Sequence, residues 1–312
     1  MKPTEKNHPP QIDTARLIAR RKRQDLVFNI LGVVCMLIGV VTLGALLFDL
    51  AADGLSLVNW QFLTSYPSRR AASAGVLSAW VGSLLLMLVT VSLAVPLGVA
   101  AGVYLEEYAR KNWLTTVIEI NIANLAGVPS IIYGLMALGV LVYQFHLGET
   151  LLVGGITLAL LILPIVIVAT REALRAIPNG IREAAYALGA TRWQVVKDHL
   201  IPYSAGGIAT GTIIAMSRAI GETAPLALIG ALTFVAFLPP APVQSRFPFV
   251  NFKWLNSDFT ALPIQMFNWV SRPGADFQHN AAAAGLVLII MTLSLNAAAI
   301  AIRYRLRKRI KW

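Results

Sequence analysis

Arg218 and Glu222 carry opposite charge inside a stretch that is otherwise small and apolar, AMSRAIGETAPL at positions 215–226. On a helix a spacing of four puts both side chains on one face, where they can pair. The arginine offers a planar fork of donors that matches the oxygens of an oxyanion. A glutamate beside it reduces the net attraction, which suits a transport path that selects by sign and still releases what it passes. The plainer alternative is an ion pair that only fixes the register of two subunits. In either case a charge left alone at mid-bilayer costs roughly 2.5–3.5 kcal/mol on insertion scales, so the pair should face a protein interior. Gly221 leaves room beside it, and Pro225 weakens the helix just after, which would let this turn change shape.

A second candidate lies upstream, in IPNGIREAAYALGATRWQVVKDHLIP at positions 177–202. Pro178 and Asn179 make a turn, residues 181–188 read as a two-turn helix, and Gly189 stops it in the left-handed conformation. Thr191 and Gln194 have the capping-box spacing, and Trp193, Val196 and Leu200 form one apolar face before Pro202. The pattern predicts a compact helix-turn-helix that presents Ala184, Ala185 and Gly189 as a small-residue surface. Such a surface suits a knob inserted into another protein's cleft. A helix lying on lipid headgroups would want a larger apolar face and more lysines.

Enzymatic chemistry finds no footing. No lysine follows a glycine anywhere in the chain, so a G-x-x-x-x-G-K-[ST] phosphate loop is missing. His8, His146, His199 and His279 never take up a paired metal-ligand spacing, and there is no G-x-S-x-G nucleophile elbow. The chain is expected to be no enzyme and to need neither cofactor nor metal. With Cys35 the single cysteine, an intrachain disulfide is impossible.

The elements that must hold these candidates follow from composition. Of 312 residues, 57% are hydrophobic and 13% charged, and the mean hydropathy is +0.67. These values belong to a membrane protein. Apolar runs able to cross a hydrocarbon layer of about 30 Å recur, at residues 27–48, 76–105, 122–143, 151–169, 203–238 and 281–302. Backbone satisfaction in lipid makes them helices. Residues 203–238 could hold one span or two, and charge parity decides for one long helix. The N-terminal tail carries Lys2, Lys6, Arg16, Arg20, Arg21, Lys22 and Arg23, and the C-terminal tail Arg303, Arg305, Arg307, Lys308, Arg309 and Lys311. Both termini should then be cytoplasmic, which requires an even number of spans. With six, Arg110, Lys111, Arg171, Arg175, Arg182, Arg192 and Lys197 also fall inside, leaving only Arg69, Arg70, Arg246, Lys253 and Arg272 in outside loops. The net charge of +11 is thus a topology signal at helix ends and not a nucleic-acid footprint.

The expected architecture is an all-α polytopic membrane protein with six transmembrane helices. Residues 1–26 form a basic cytoplasmic tail, 27–72 a retained anchor helix with an outside loop, 73–302 a transmembrane domain containing the cytoplasmic loop 171–202, and 303–312 a second basic tail. G-x-x-x-G patterns at Gly98 to Gly102 and Gly207 to Gly211 should let helices approach closely. The outside loop 239–280 is rich in proline and in aromatics, Phe247, Trp254, Phe267 and Trp269 among them, placed at the headgroups or on a partner-docking surface.

Glu183-Ala184-Ala185, three further residues, Gly189, then nine residues to a closing group resemble the EAA loop of binding-protein-dependent ABC importer permeases. The closing group reads His199-Leu-Ile-Pro202 where that family has I-x-L-P. The resemblance implies an ABC importer permease fold, with Glu183, Ala184, Ala185 and Gly189 docking on a separate ATPase. Four stretches, AVPLGVAAGVYLEEY (94–108), VPSIIYG (128–134), SRAIGETAP (217–225) and FNWVSRP (267–273), are similar to the phosphate importer permeases, the last to the PstA-type subunit. That implies a bacterial inner-membrane phosphate importer with a related PstC-type permease subunit, a PstB-type ATP-binding dimer and an extracytoplasmic PstS-type phosphate-binding protein. Arg218 and Glu222 would line its substrate path. Two other readings stay open: a permease for molybdate, sulfate or phosphonate, and a channel that needs no ATPase.

Overall fold

The computed structural model describes residues 14–232, 234–243, 249 and 251–308. Lys2, Lys6, His8, Arg246, Phe247, Arg309 and Lys311 lie outside the described residues. Among the described residues the chain is helical and no strand forms.

Two compact units divide the chain, Met1–Ala52 and Asp53–Trp312. The first holds most of helix α1 (Thr14–Gly54), whose 41 residues exceed what a bilayer requires. In the second, α2 (Trp60–Thr64) leads to α3 (Leu77–Val103), which ends in a π turn at Tyr104–Tyr108. Helices α4 (Trp113–Leu125) and α5 (Ser130–Ala137) follow, with a π extension of α5 over Leu138–Gln144. Next come α6 (Leu151–Arg175), α7 (Asn179–Ala187), the single turn α8 (Arg192–Gln194), a further π turn Val195–Leu200 and α9 (Ile201–Ile220). The remaining helices are α10 (Ala224–Leu228), α11 (Leu262–Val270) and α12 (Ala275–Lys308).

The centre of the second unit is α6, packed between α3 and α9, with α12 against α9. Both G-x-x-x-G patterns serve these contacts. A Cβ on Gly98 would lie 2.7 Å from Val166 Cγ1, and one on Gly102 would lie 2.7 Å from Thr170 Cβ. On the other side a Cβ on Gly207 would come within 2.7 Å of Ala173 Cβ, and Gly211 sits closer still to Ala169. Gly211→Leu therefore has no room, and overpacking of this kind costs about 1–3 kcal/mol. The expected result is a lowered thermal midpoint of the detergent-solubilised protein, read by intrinsic tryptophan fluorescence.

Two expected spans are broken. Residues 122–143 do not form one helix: α4 and the α5 segment, Trp113–Leu125 and Ser130–Gln144, meet at 104°. Pro129 explains the bend, because it pushes Val128 away from helical geometry and takes the N-cap position itself, with ψ at 134°. Five other helices are long and apolar enough to cross a membrane, and the number is six when this bent pair counts as one span. The expected long helix over 203–238 is also not found. Helix α9 stops at Ile220, and after α10 the described residues up to 238 are not helical. Nor does the helix beginning at Thr191 stop before Pro202; it runs on from Arg192 to Ile220. Proline in a helix lacks the N–H and crowds the carbonyl four residues back. Here the π turn Val195–Leu200 immediately precedes it and shifts that carbonyl out of α-helical register.

The outside-loop tryptophans are at neither expected place. Trp254 is buried in one apolar cluster with Leu86, Leu151 and Ile229, and Trp269 in another with Phe62, Val76 and Leu262. Phe267 alone of the described aromatics named for this role is exposed. The first outside loop is pinned as well, through Trp80 Nε1 donating to Leu63 O at 3.0 Å and Asn280 Nδ2 to Ala71 O at 2.9 Å.

Candidate functional site

Arg218 occupies the last turn of α9 and Glu222 lies just beyond its end, so they meet across a helix terminus and not along one helix face. The Gly221 and Glu222 N–H groups donate to the Arg218 and Ala219 carbonyls, both at 3.3 Å, closing the helix, and α10 restarts at Ala224 with Pro225 in its first turn. Arg218 Nε reaches Glu222 Oε1 at 3.4 Å, the arginine side chain being 40% exposed and the glutamate 16%. Charge-assisted hydrogen bonds of full strength are about 2.7–2.9 Å. The pair is therefore loose, and among the described residues Glu222 is the one acceptor that meets the guanidinium. Ile214, Arg218 and Gly221 share the exposed side of α9, while Gly211, Ala215 and Ala219 face inward.

The second helix break comes to the first. Gly134 of α5 lies against Pro225 of α10, so close that a Cβ would stand 2.6 Å from the proline Cα. Tyr133 ties this crossing to α4 by donating its hydroxyl to Leu125 O at 2.9 Å. A third contact at this level is Ser217 Oγ, 2.9 Å from Asn296 Oδ1 of α12. Asn296 is a functional candidate that only the structure brings to this level. A lone amide within the last apolar run was the signal that could have found it.

The loop over residues 171–202 forms the expected helix-turn-helix knob. Gly189 adopts φ +83°, and its N–H donates to Tyr186 O at 2.9 Å while that of Ala190 donates to Ala185 O at 3.1 Å. This is the double bond pattern that closes a helix through a left-handed residue. The capping box is present, with the Thr191 N–H donating to Gln194 Oε1 at 2.8 Å. Glu183, Ala184 and Gly189 are exposed, as are Tyr186, Leu188 and Trp193. Ala185 departs from the expected surface: it is 7% exposed and packs with Leu174, Ile177, Val195 and Leu200 as the knob's own core. Next to the knob an ionic network joins Glu106 and Glu107 of the α3 π turn to Arg171, Arg175 and Arg182. From charge bias alone these arginines are topology charges.

Residues 71–312 match the family described as binding-protein-dependent transport system inner membrane component. The chain belongs to this family. Among similar proteins of this kind, the phosphate transport system permease protein PstA of Yersinia pestis is 34% identical, covering 86% of both chains. A protein of the same description from Pasteurella multocida is 31% identical over 82% of this chain and 89% of that one. The probable ABC transporter permease protein YqgI of Bacillus subtilis is 33% identical, with 69% and 72% covered. Solved structures share the family fold at low identity. A chain of a bacterial alginate ABC transporter in complex with its alginate-bound periplasmic protein superposes with a TM-score of 0.64 at 13% identity, covering 94% of this chain and 99% of that one. A chain of the inward-facing MetNI methionine ABC transporter gives 0.56 at 18% identity, covering 72% and 93%.

Proposed function

We propose that this chain is the transmembrane permease subunit of an ATP-driven importer of inorganic phosphate in the bacterial cytoplasmic membrane. The observation that carries the reading is the Arg218 fork. It is held by one loose contact at a helix break, on a side of α9 that its own subunit leaves open. A guanidinium so placed can exchange Glu222 for phosphate oxygens and return to Glu222 after release. The phosphate permeases among the relatives agree with this choice of anion. In this reading a PstC-type permease subunit closes the open side of α9, and a PstB-type ATP-binding dimer receives Glu183, Ala184 and Gly189. Ala185 supports that surface from beneath. A PstS-type binding protein delivers phosphate from outside and supplies the tight recognition. Residues 73–302 act as the permease domain, residues 27–72 as anchor helix and outside loop, and residues 1–26 and 303–312 as cytoplasmic tails. ATP is hydrolysed by the partner subunit.

Radiolabelled phosphate uptake in a strain lacking this chain, complemented by it, tests the reading. Uptake is expected to return and to persist in excess sulfate or molybdate. Competition by either at equal concentration would reassign the substrate, and uptake that survives ATP depletion would make the protein a channel.

A further inference from the structure

The knob is joined to the membrane helices by more than its own chain. Arg182, in the first turn of α7, uses all its guanidinium nitrogens inside the protein. Nε and Nη2 donate to Glu107 Oε1 at 3.2 and 2.7 Å. Nη2 also donates to Leu174 O at 3.0 Å, and Nη1 donates to Ile177 O at 2.9 Å and to Asn179 Oδ1 at 3.4 Å. Leu174 lies in the last turn of α6, where the last carbonyls lack helical donors, and Ile177 lies just beyond its C-cap. Glu107 belongs to a different element, the π turn that ends α3. The pair is shielded, with the arginine side chain 15% exposed and the glutamate 10%. Beside it, Glu106 takes Arg175 at 2.9 Å and Arg171 at 3.4 Å. Arg171 also stands 2.6 Å from Glu119 of α4.

Two routes therefore leave the knob. One is covalent, through α8 and the π turn Val195–Leu200 into α9. The other is ionic, from Arg182 through Glu107 into α3. Each enters its membrane helix at a π turn, the kind of segment in which a helix can shift register. A two-point guanidinium–carboxylate contact screened from water resists separation far better than an exposed pair does. The two helices so reached are the ones that grip α6 through glycine contacts.

We propose that Arg182 and Glu107 are a positioning pair that carries displacement of the knob into α3, so that α3 and α9 move together when the ATPase partner closes. The proposal rests on the reading of the knob as the ATPase-docking surface and adds a second route for its motion. Glu107 lies outside that surface, and Arg182 keeps its contacts to Leu174 and Ile177 when the carboxylate is lost. The knob can thus stay folded while the link is cut.

The test uses the complete transporter carrying Glu107→Gln or Glu107→Asp. Three quantities are read: the ATPase subunit that co-purifies, phosphate taken up per ATP hydrolysed, and the distance between spin labels at positions 111 and 180 with and without nucleotide. With Gln, the ATPase is expected to remain bound, uptake per ATP to fall roughly tenfold, as for a typical coupling between sites, and the label distance to become nucleotide-dependent. The native pair holds that distance constant, and Asp restores most of the uptake. Unchanged uptake per ATP with Gln overturns the proposal. So does loss of the ATPase subunit, because the pair would then serve docking and not transmission. The docking reading itself fails separately, if changes on the knob surface in an otherwise native chain leave the ATPase bound and transport intact.

Discussion

Arg218→Gln is expected to abolish phosphate uptake while the permease still assembles with its partners and the ATPase still turns over. Glutamine is shorter than arginine, but the arginine side chain is 40% exposed, so little packing is lost. What disappears is a charge-assisted contact to the anion, worth about 1.5–3 kcal/mol. The variant also leaves the Glu222 carboxylate uncompensated beside the path, where it repels phosphate. Together these predict a fall of roughly a hundredfold or more, a factor of ten for each 1.4 kcal/mol, measured as initial uptake rate at saturating ATP. The competing account, a structural ion pair, makes a different forecast. There Arg218→Gln should lower thermal stability, and the double variant Arg218→Gln with Glu222→Gln should recover uptake because no charge is left unpaired. In the path account the double variant assembles and stays inactive. Recovery of uptake by the double variant would remove Arg218 from the path.

The sequence made the knob legible almost residue by residue because its signals are local. A glycine needed at positive φ, a capping box over three residues and an apolar face at helical spacing each act within one or two turns. The spans were legible for the same reason, as composition over about 20 residues. The breaks were less so. Pro129 and Gly221 both stand in apolar runs, and membrane helices tolerate proline and glycine, so hydropathy alone cannot say which one ends a helix. Pro96 and Pro164 sit inside intact helices of this same chain, whereas Pro129 starts one. The outcome depends on what packs there: Gly134 against Pro225 holds the two breaks together, a contact between residues far apart in sequence. Charge bias likewise located Arg171, Arg175 and Arg182 at the cytoplasmic end, but their pairing with Glu106 and Glu107 appears only once α3 and α6 are side by side. Trp254 and Trp269 show the same limit. An aromatic in an outside loop is most simply an interfacial anchor until the loop is seen to fold into the core.

Gly189→Asp is expected to release the ATPase subunit and to stop transport with it. The backbone contribution is modest: Gly189 has φ +83°, and a non-glycine residue there costs roughly 1–2 kcal/mol, with Asp and Asn among the better tolerated. Nothing within 4 Å of a Cβ at this position would be displaced, so the knob should still fold. The larger effect falls on the interface. A carboxylate set beside Ala184, Tyr186 and the 90% exposed Leu188 would be buried without a partner on docking, and a desolvated unpaired charge costs several kcal/mol. Gly189→Asn separates the two effects, since it shares the backbone tolerance but carries no charge, and it should retain most of the ATPase. Ala184→Trp makes the steric version of the same test from an exposed position that leaves the knob's interior alone. Ala185→Trp does not, because its site is the knob core, and it should lose the knob's fold and docking together. Co-purification of the ATPase with each variant, followed by uptake, decides among these. Full retention of both in Gly189→Asp and Ala184→Trp would mean that the knob meets some other partner.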